Sequence, residues 1–193
     1  MYVQQKNGTH GVYVRNGRTY VSTLDIKGIS AITVYMPNGT LLTNASVTVD
    51  GIPTTTDGNG KVYMSGDKGK KASLDIVYDG MYTGSVVVTY GEDAQVSLLE
   101  TYLLTVTATG FTYSQYFTVT TTIGDTQYEG SIAVRVPFGT SVTIKNTGDT
   151  YYTGSYVILD GTNTKKATYT FTMVADHTVT FTNGIYYDPN AGT

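Results

Sequence analysis

His10 and His177 are the chain's two histidines, so an imidazole acting as a general base or activating a nucleophile must be one of them. They sit in separate parts of the sequence, His10 near the start and His177 in a predicted turn, and no shared site is expected. There is no Cys, which removes thiolate nucleophiles and thiolate metal ligands. Asp57-Gly58-Asn59-Gly60 puts oxygen ligands at alternate positions, as calcium loops do, but Lys61 follows where such a loop needs further acids. A hairpin turn accounts for the same residues. Carboxylates also fall on turns at Glu92-Asp93, Asp149-Thr150 and Asp160-Gly161. Glycoside cleavage needs two carboxyls about 5–10 Å apart across a cleft, and each of these acids serves equally well as a turn former or solubilising group. The expectation is a chain with no catalytic residue, no metal and no cofactor.

The residues that point to binding are tyrosines. The chain has 18 Tyr and no Trp, and the second half holds Tyr113, Tyr116, Tyr128, Tyr151, Tyr152, Tyr156, Tyr186 and Tyr187. In a strand every second side chain faces outward, and an outward phenol ring can stack on a sugar ring or pair across a protein interface. Tyr113, Tyr116, Tyr151, Tyr152 and Tyr156 are therefore the candidate ligand or interface residues. The basic runs Lys68-Gly69-Lys70-Lys71 and Lys165-Lys166 read as solvated loops. A net charge of −3 gives no basic field for nucleic acid. No apolar run approaches the roughly 20 residues of a membrane-spanning helix, so no membrane insertion is expected. The opening residues Met1 to Gly8 lack the apolar core of an export signal, which points to a protein made and kept in a cytoplasm.

The elements that must position these rings are strands. Apolar and polar residues alternate with period two, and no convincing helical period occurs. Asn16-Gly17, Asn38-Gly39, Asn59-Gly60, Asp79-Gly80 and Asp160-Gly161 separate strand-like runs and tolerate the positive φ of tight hairpin turns. Residues 1–27 read as an arm built on one hairpin, Val12-Tyr13-Val14 against Thr19-Tyr20-Val21, with Val12, Tyr13, Val14 and Tyr20 as the candidate anchor. Residues 28–100 read as a first module of about seven short strands, the spacing of a β-sandwich. Residues 101–187 read as a second β module, in which Tyr113 to Thr122 is one strand, and 188–193 as a loose tail.

Asn44-Ala45-Ser46-Val47-Thr48-Val49-Asp50-Gly51 followed by Thr56-Asp57-Gly58-Asn59-Gly60-Lys61-Val62 resembles bacterial Ig-like and carboxypeptidase-regulatory-like sandwiches. The stretch from Ala167 to Phe181 resembles the closing strands of internalin-type B-repeats, with Val174 where those carry Pro after Met173. Some pilin-like sandwiches join Lys to Asn by an isopeptide bond; Lys27 could be read that way, but the expected last strand, Gln95 to Leu99, holds no Asn. The resemblance implies an all-β chain of tandem Ig-like sandwich modules behind an N-terminal hairpin arm. Together with the missing export signal it implies a phage virion accessory protein, of the head-fibre or capsid-decoration type. Its expected partners are the capsid shell, sister chains in a dimer or trimer, and a host-surface glycan. The alternative is a carbohydrate-binding or adhesive module of a bacterial surface protein.

Overall fold

Glycine corners and alternating side chains build most of the described residues into sheets. The computed structural model describes the backbone of residues 2–5, 8–15, 18–23 and 27–188, with side chains from residue 27 onward. The chain is all-β; its helical content among the described residues is one 3₁₀ turn, Ser114–Tyr116. It divides into two compact units, Met1–Leu98 and Leu99–Thr193. The second unit thus begins with its first strand at Leu99, two residues before the division placed at Glu100-Thr101.

The N-terminal segment differs from a lone hairpin. Strands β1 (Tyr2–Gln5), β2 (Gly8–Arg15) and β3 (Arg18–Thr23) make a three-stranded antiparallel sheet in the order β1-β2-β3. Val12 pairs with Val21, Tyr13 with Tyr20 and Val14 with Thr19, as the alternation led one to expect. The added strand β1 pairs Tyr2 with Gly11 through Gln5 with Gly8. The side chains of the candidate anchor residues, the turn residues Asn16-Gly17 and the tail beyond Asp188 lie outside the described residues.

The first unit continues with β4 (Lys27–Tyr35), β5 (Ser46–Val49), β6 (Ile52–Thr55), β7 (Lys61–Asp67), β8 (Lys71–Tyr78), β9 (Tyr82–Thr89) and β10 (Ala94–Ser97). One sheet runs β10-β4-β7, with β10 parallel to β4, and the facing sheet runs β6-β5-β8-β9. Ile32 and Val34 of β4, Val62 of β7 and Val96 of β10 meet Val47, Val49, Leu74, Ile76 and Val88 from the other sheet. This is sandwich packing of two inward faces. The Asp50-Gly51 pair closes β5 to β6 with both residues at positive φ, 49° and 76°, the two-residue mirror-image turn that Asx-Gly favours.

The second unit holds β11 (Leu99–Val106), β12 (Phe117–Ile123), β13 (Thr126–Glu129), β14 (Ile132–Pro137), β15 (Ser141–Gly148), β16 (Tyr152–Thr153), β17 (Val157–Leu159), β18 (Thr162–Asn163), β19 (Thr168–Thr172), β20 (His177–Phe181) and β21 (Ile185–Tyr186). Strands β14, β11, β20, β17 and β18 lie side by side, β11 and β20 parallel. The other sheet runs β13-β12-β15-β19. Leu104, Val106, Val136, Val157 and Val179 pack against Val119, Val142, Ile144 and Met173, all buried. A third, two-stranded sheet pairs β16 with β21 at one end of this unit. The run from Tyr113 to Thr122 is therefore not one strand: it begins as a tight turn and becomes strand only at Phe117.

Candidate functional site

Three short segments of the second unit converge at the β16/β21 end, and each carries tyrosine. The first is the turn before β12. Tyr113 holds a left-handed backbone, φ 66° and ψ 20°, and the 3₁₀ turn Ser114–Tyr116 follows. A left-handed conformation costs a residue with a Cβ about 1–2 kcal/mol. The Tyr113 and Tyr116 rings on either end of this turn both meet Tyr152. The second segment leaves β15 at Gly148, turns at Asp149 and enters β16. The third is β21, delivered by Asn183 and Gly184.

Backbone hydrogen bonds fix the three segments together. The Asp149 amide donates to the Tyr116 carbonyl (2.8 Å), the Gly184 amide to the Thr112 carbonyl (3.1 Å) and the Tyr187 amide to the Tyr151 carbonyl (2.8 Å). The Thr112 amide donates to Asn183 Oδ1 (2.9 Å). Two glycines allow the close approach. A Cβ on Gly148 would run into the Tyr152 carbonyl oxygen, and one on Gly184 into the Phe117 ring. Beneath the turn, Asn146 Nδ2 donates to Ser155 Oγ (2.8 Å), which donates to the Thr182 carbonyl (2.6 Å), so the base of the loop is held by buried polar bonds.

The result is a ring cluster. Tyr116 stacks on Tyr152 with centroids 4.1 Å apart and planes within 4°. Tyr113 and Tyr186 are tilted against Tyr152, at 5.3 and 5.4 Å. Tyr152 is half-buried at the centre, while Tyr116 is 41% and Tyr186 49% exposed. Burial pushes the Tyr152 phenol above its ordinary value, and its hydrogen bond with Tyr116 pushes the same way. Ile185 and Tyr187 extend the exposed apolar rim. Of the five tyrosines singled out from sequence, Tyr113, Tyr116 and Tyr152 meet. Tyr151 and Tyr156 are exposed, and among the described residues neither stacks on another ring. Tyr186 completes the cluster. Its signal in the sequence was the doublet Tyr186-Tyr187 beside Gly184, a strand too short to be read by alternation.

Next to the cluster lies a cleft of about 370 Å³, with Gln115, Tyr116 and Thr118 on one side and Thr147, Gly148 and Asp149 on the other. Thr118 and Thr147 are cross-strand partners on β12 and β15, and both are exposed. Asp149 Oδ1 accepts from the Thr150 amide (2.7 Å) and hydroxyl (3.3 Å).

The remaining candidates have structural partners. Both Asp57 oxygens are engaged by the turn itself: Oδ1 accepts from the Lys61 and Asn59 amides (2.9 and 2.8 Å) and Oδ2 from the Tyr63 hydroxyl (3.0 Å). These bonds, the Lys61 amide foremost, hold its carboxyl below the usual range. Lys27 and Lys70 both pair with Asp67 (2.7 and 2.9 Å) and pull its pKa to about 2. Asp93 Oδ1 accepts from the Ala31 amide (3.2 Å). His177 opens β20 rather than lying on a turn; its Nδ1 is 2.6 Å from Asp160 Oδ2, and its ring meets Phe171 edge-on. Among the described residues, no three His, Cys, Asp or Glu side chains are grouped to hold a metal ion.

No protein-family model and no curated protein matches the chain. Among solved structures it is similar to the streptococcal ancillary pilin, at 10% identity over 94% of this chain and 74% of that one, with a TM-score of 0.30. It is also similar to the Bacillus anthracis TIE protein, at 15% identity over 86% of this chain and 36% of that one, with a TM-score of 0.29.

Proposed function

We propose that this chain is a non-enzymatic adhesive β module whose working surface is the tyrosine rim of the second unit. The observation that carries this reading is the cluster in which exposed Tyr113, Tyr116 and Tyr186 gather round half-buried Tyr152, fixed to the sandwich by backbone bonds. Rigid phenol rings give large contact area at little entropic cost. Holding one of them in an unfavourable backbone conformation is an expense that core packing does not need.

The finer setting we propose is a virion, as a head fibre or capsid decoration in which the β1-β2-β3 sheet docks on the shell and the second unit faces the host. A separate three-stranded sheet gains most from a surface to pack against. Beads coated with the full chain are expected to capture cells from the culture that makes it. Replacing Ile185 and Tyr186 by Ala should reduce capture several-fold. Equal capture by the two proteins would refute the adhesive reading. Mass spectrometry of purified particles and of cell envelopes separates the settings: recovery in envelopes alone would replace the virion by a bacterial surface.

A further inference from the structure

We infer that the cleft between Gln115–Thr118 and Thr147–Asp149 is a binding site for a neutral pyranose of a glycan, an inference that rests on the adhesive reading and names its ligand. Three features of the cleft select this chemistry. Its volume, about 370 Å³, suits one sugar ring with its hydroxyls rather than an extended peptide. Tyr116 lines the cleft: its ring stacks on Tyr152, and 41% of the residue is exposed. Pyranose C–H groups pack on such a surface, where a phenol offers both an apolar face and a polar tip.

The third feature is the set of polar groups. Asp149 spends Oδ1 on Thr150, while Oδ2, the Gln115 amide and the Thr118 and Thr147 hydroxyls have no hydrogen-bond partner among the described residues. A carboxylate oxygen accepting from vicinal sugar hydroxyls makes the stronger, charge-assisted kind of bond. The amide and hydroxyls can both donate and accept, as a ring of hydroxyls requires. Strand pairing and backbone bonds fix the backbone that carries them, since Thr118 faces Thr147 and the Asp149 amide bonds to Tyr116, which leaves side-chain rotamers as the ordering that binding imposes. The charge of the lining also excludes a class. It contains one carboxylate and no Lys or Arg, so a uronic or sialic acid would meet an uncompensated negative group.

Saturation-transfer NMR on the full chain, irradiating the tyrosine ring protons, tests this with cellobiose, maltose and N,N′-diacetylchitobiose against digalacturonic acid. At least one neutral disaccharide should receive saturation on its ring protons, and digalacturonic acid should not. Tyr116→Ala and Asp149→Asn should each weaken binding about tenfold. Asp149→Asn keeps the side-chain shape and the Thr150 contact, so it reads the site even where Tyr116→Ala disturbs the turn. Tyr63→Ala, in the first unit, should change nothing. No transfer to any neutral sugar at millimolar concentration would overturn the inference, as would equal transfer to digalacturonic acid or binding that ignores both variants. Cell capture that depends on Ile185 and Tyr186 but is not competed by the neutral sugars would sink the ligand class and leave the adhesive reading standing.

Discussion

Asp160 shows how a residue marked by its turn chemistry takes on a second task. It sits at φ 49°, the first residue of a two-residue hairpin turn, and its carboxylate reaches across to β20. Oδ1 accepts from the Thr178 amide (2.8 Å) and Oδ2 meets His177 Nδ1 (2.6 Å). Burial works to raise its pKa, but the bonds from Thr178 and His177 together outweigh it and leave the carboxyl below its ordinary value. A carboxyl with a depressed folded-state pKa stabilises the fold above its unfolded value, about 4, and that stability is lost as pH falls through the lower folded value. Asn tolerates the same backbone and can still accept from Thr178, so Asp160→Asn isolates the charge. It should cost about 0.5–1 kcal/mol at neutral pH by urea unfolding, the modest figure reflecting a side chain 46% exposed. The gap between wild type and variant should narrow below pH 4; a gap constant down to pH 2 would show that the charge is not what matters.

At the scale of elements, the tyrosine rim is a consequence of glycine. Gly148 ends β15 with the Tyr152 carbonyl where a side chain would go, so Gly148→Ala must push the turn off the sandwich. About 2–3 kcal/mol of lost stability is expected from such a backbone clash, with loss of the Tyr116–Tyr152 stack in near-ultraviolet circular dichroism. Gly51→Ala is the control: its φ is 76° but nothing lies near the added Cβ, so about 1 kcal/mol is lost and the tyrosine signal is kept. The contrast also explains what could be read from sequence. Asx-Gly turns such as Asp160-Gly161 are local signals and stand where expected, with both residues at positive φ. The rim was legible only as a list of tyrosines. Its convergence depends on a left-handed Tyr113, a three-residue 3₁₀ turn and strands of two residues, all imposed by tertiary bonds with no period of their own. For the same reason Tyr113 and Tyr116 were read onto a strand, since the Tyr113–Thr122 run alternates well enough from Phe117 onward to mask the turn before it.

For the molecule as a whole, the question is what residues 1–26 are for. Among the residues whose side chains are described, the first unit's core cluster runs from Ile32 to Leu98, and the second unit has a core cluster of its own. The β1-β2-β3 sheet is closed by pairing among its own strands. If the sheet serves as a docking element, as proposed, a chain lacking residues 1–26 should keep both sandwiches and still unfold cooperatively in urea, because each described core cluster is assembled from residues beyond 26. On the proposed virion setting, the same truncation should abolish incorporation into the native assembly, since repetition on a symmetric shell would multiply weak single contacts made by that sheet. Sedimentation of the full chain should show a dimer or trimer and the truncated chain a monomer, if sister chains share that surface as well. Both measurements can fail independently. A truncated protein that unfolds would make the N-terminal sheet part of the first unit's support, whereas one that folds and still joins the assembly would move the anchor elsewhere in the chain.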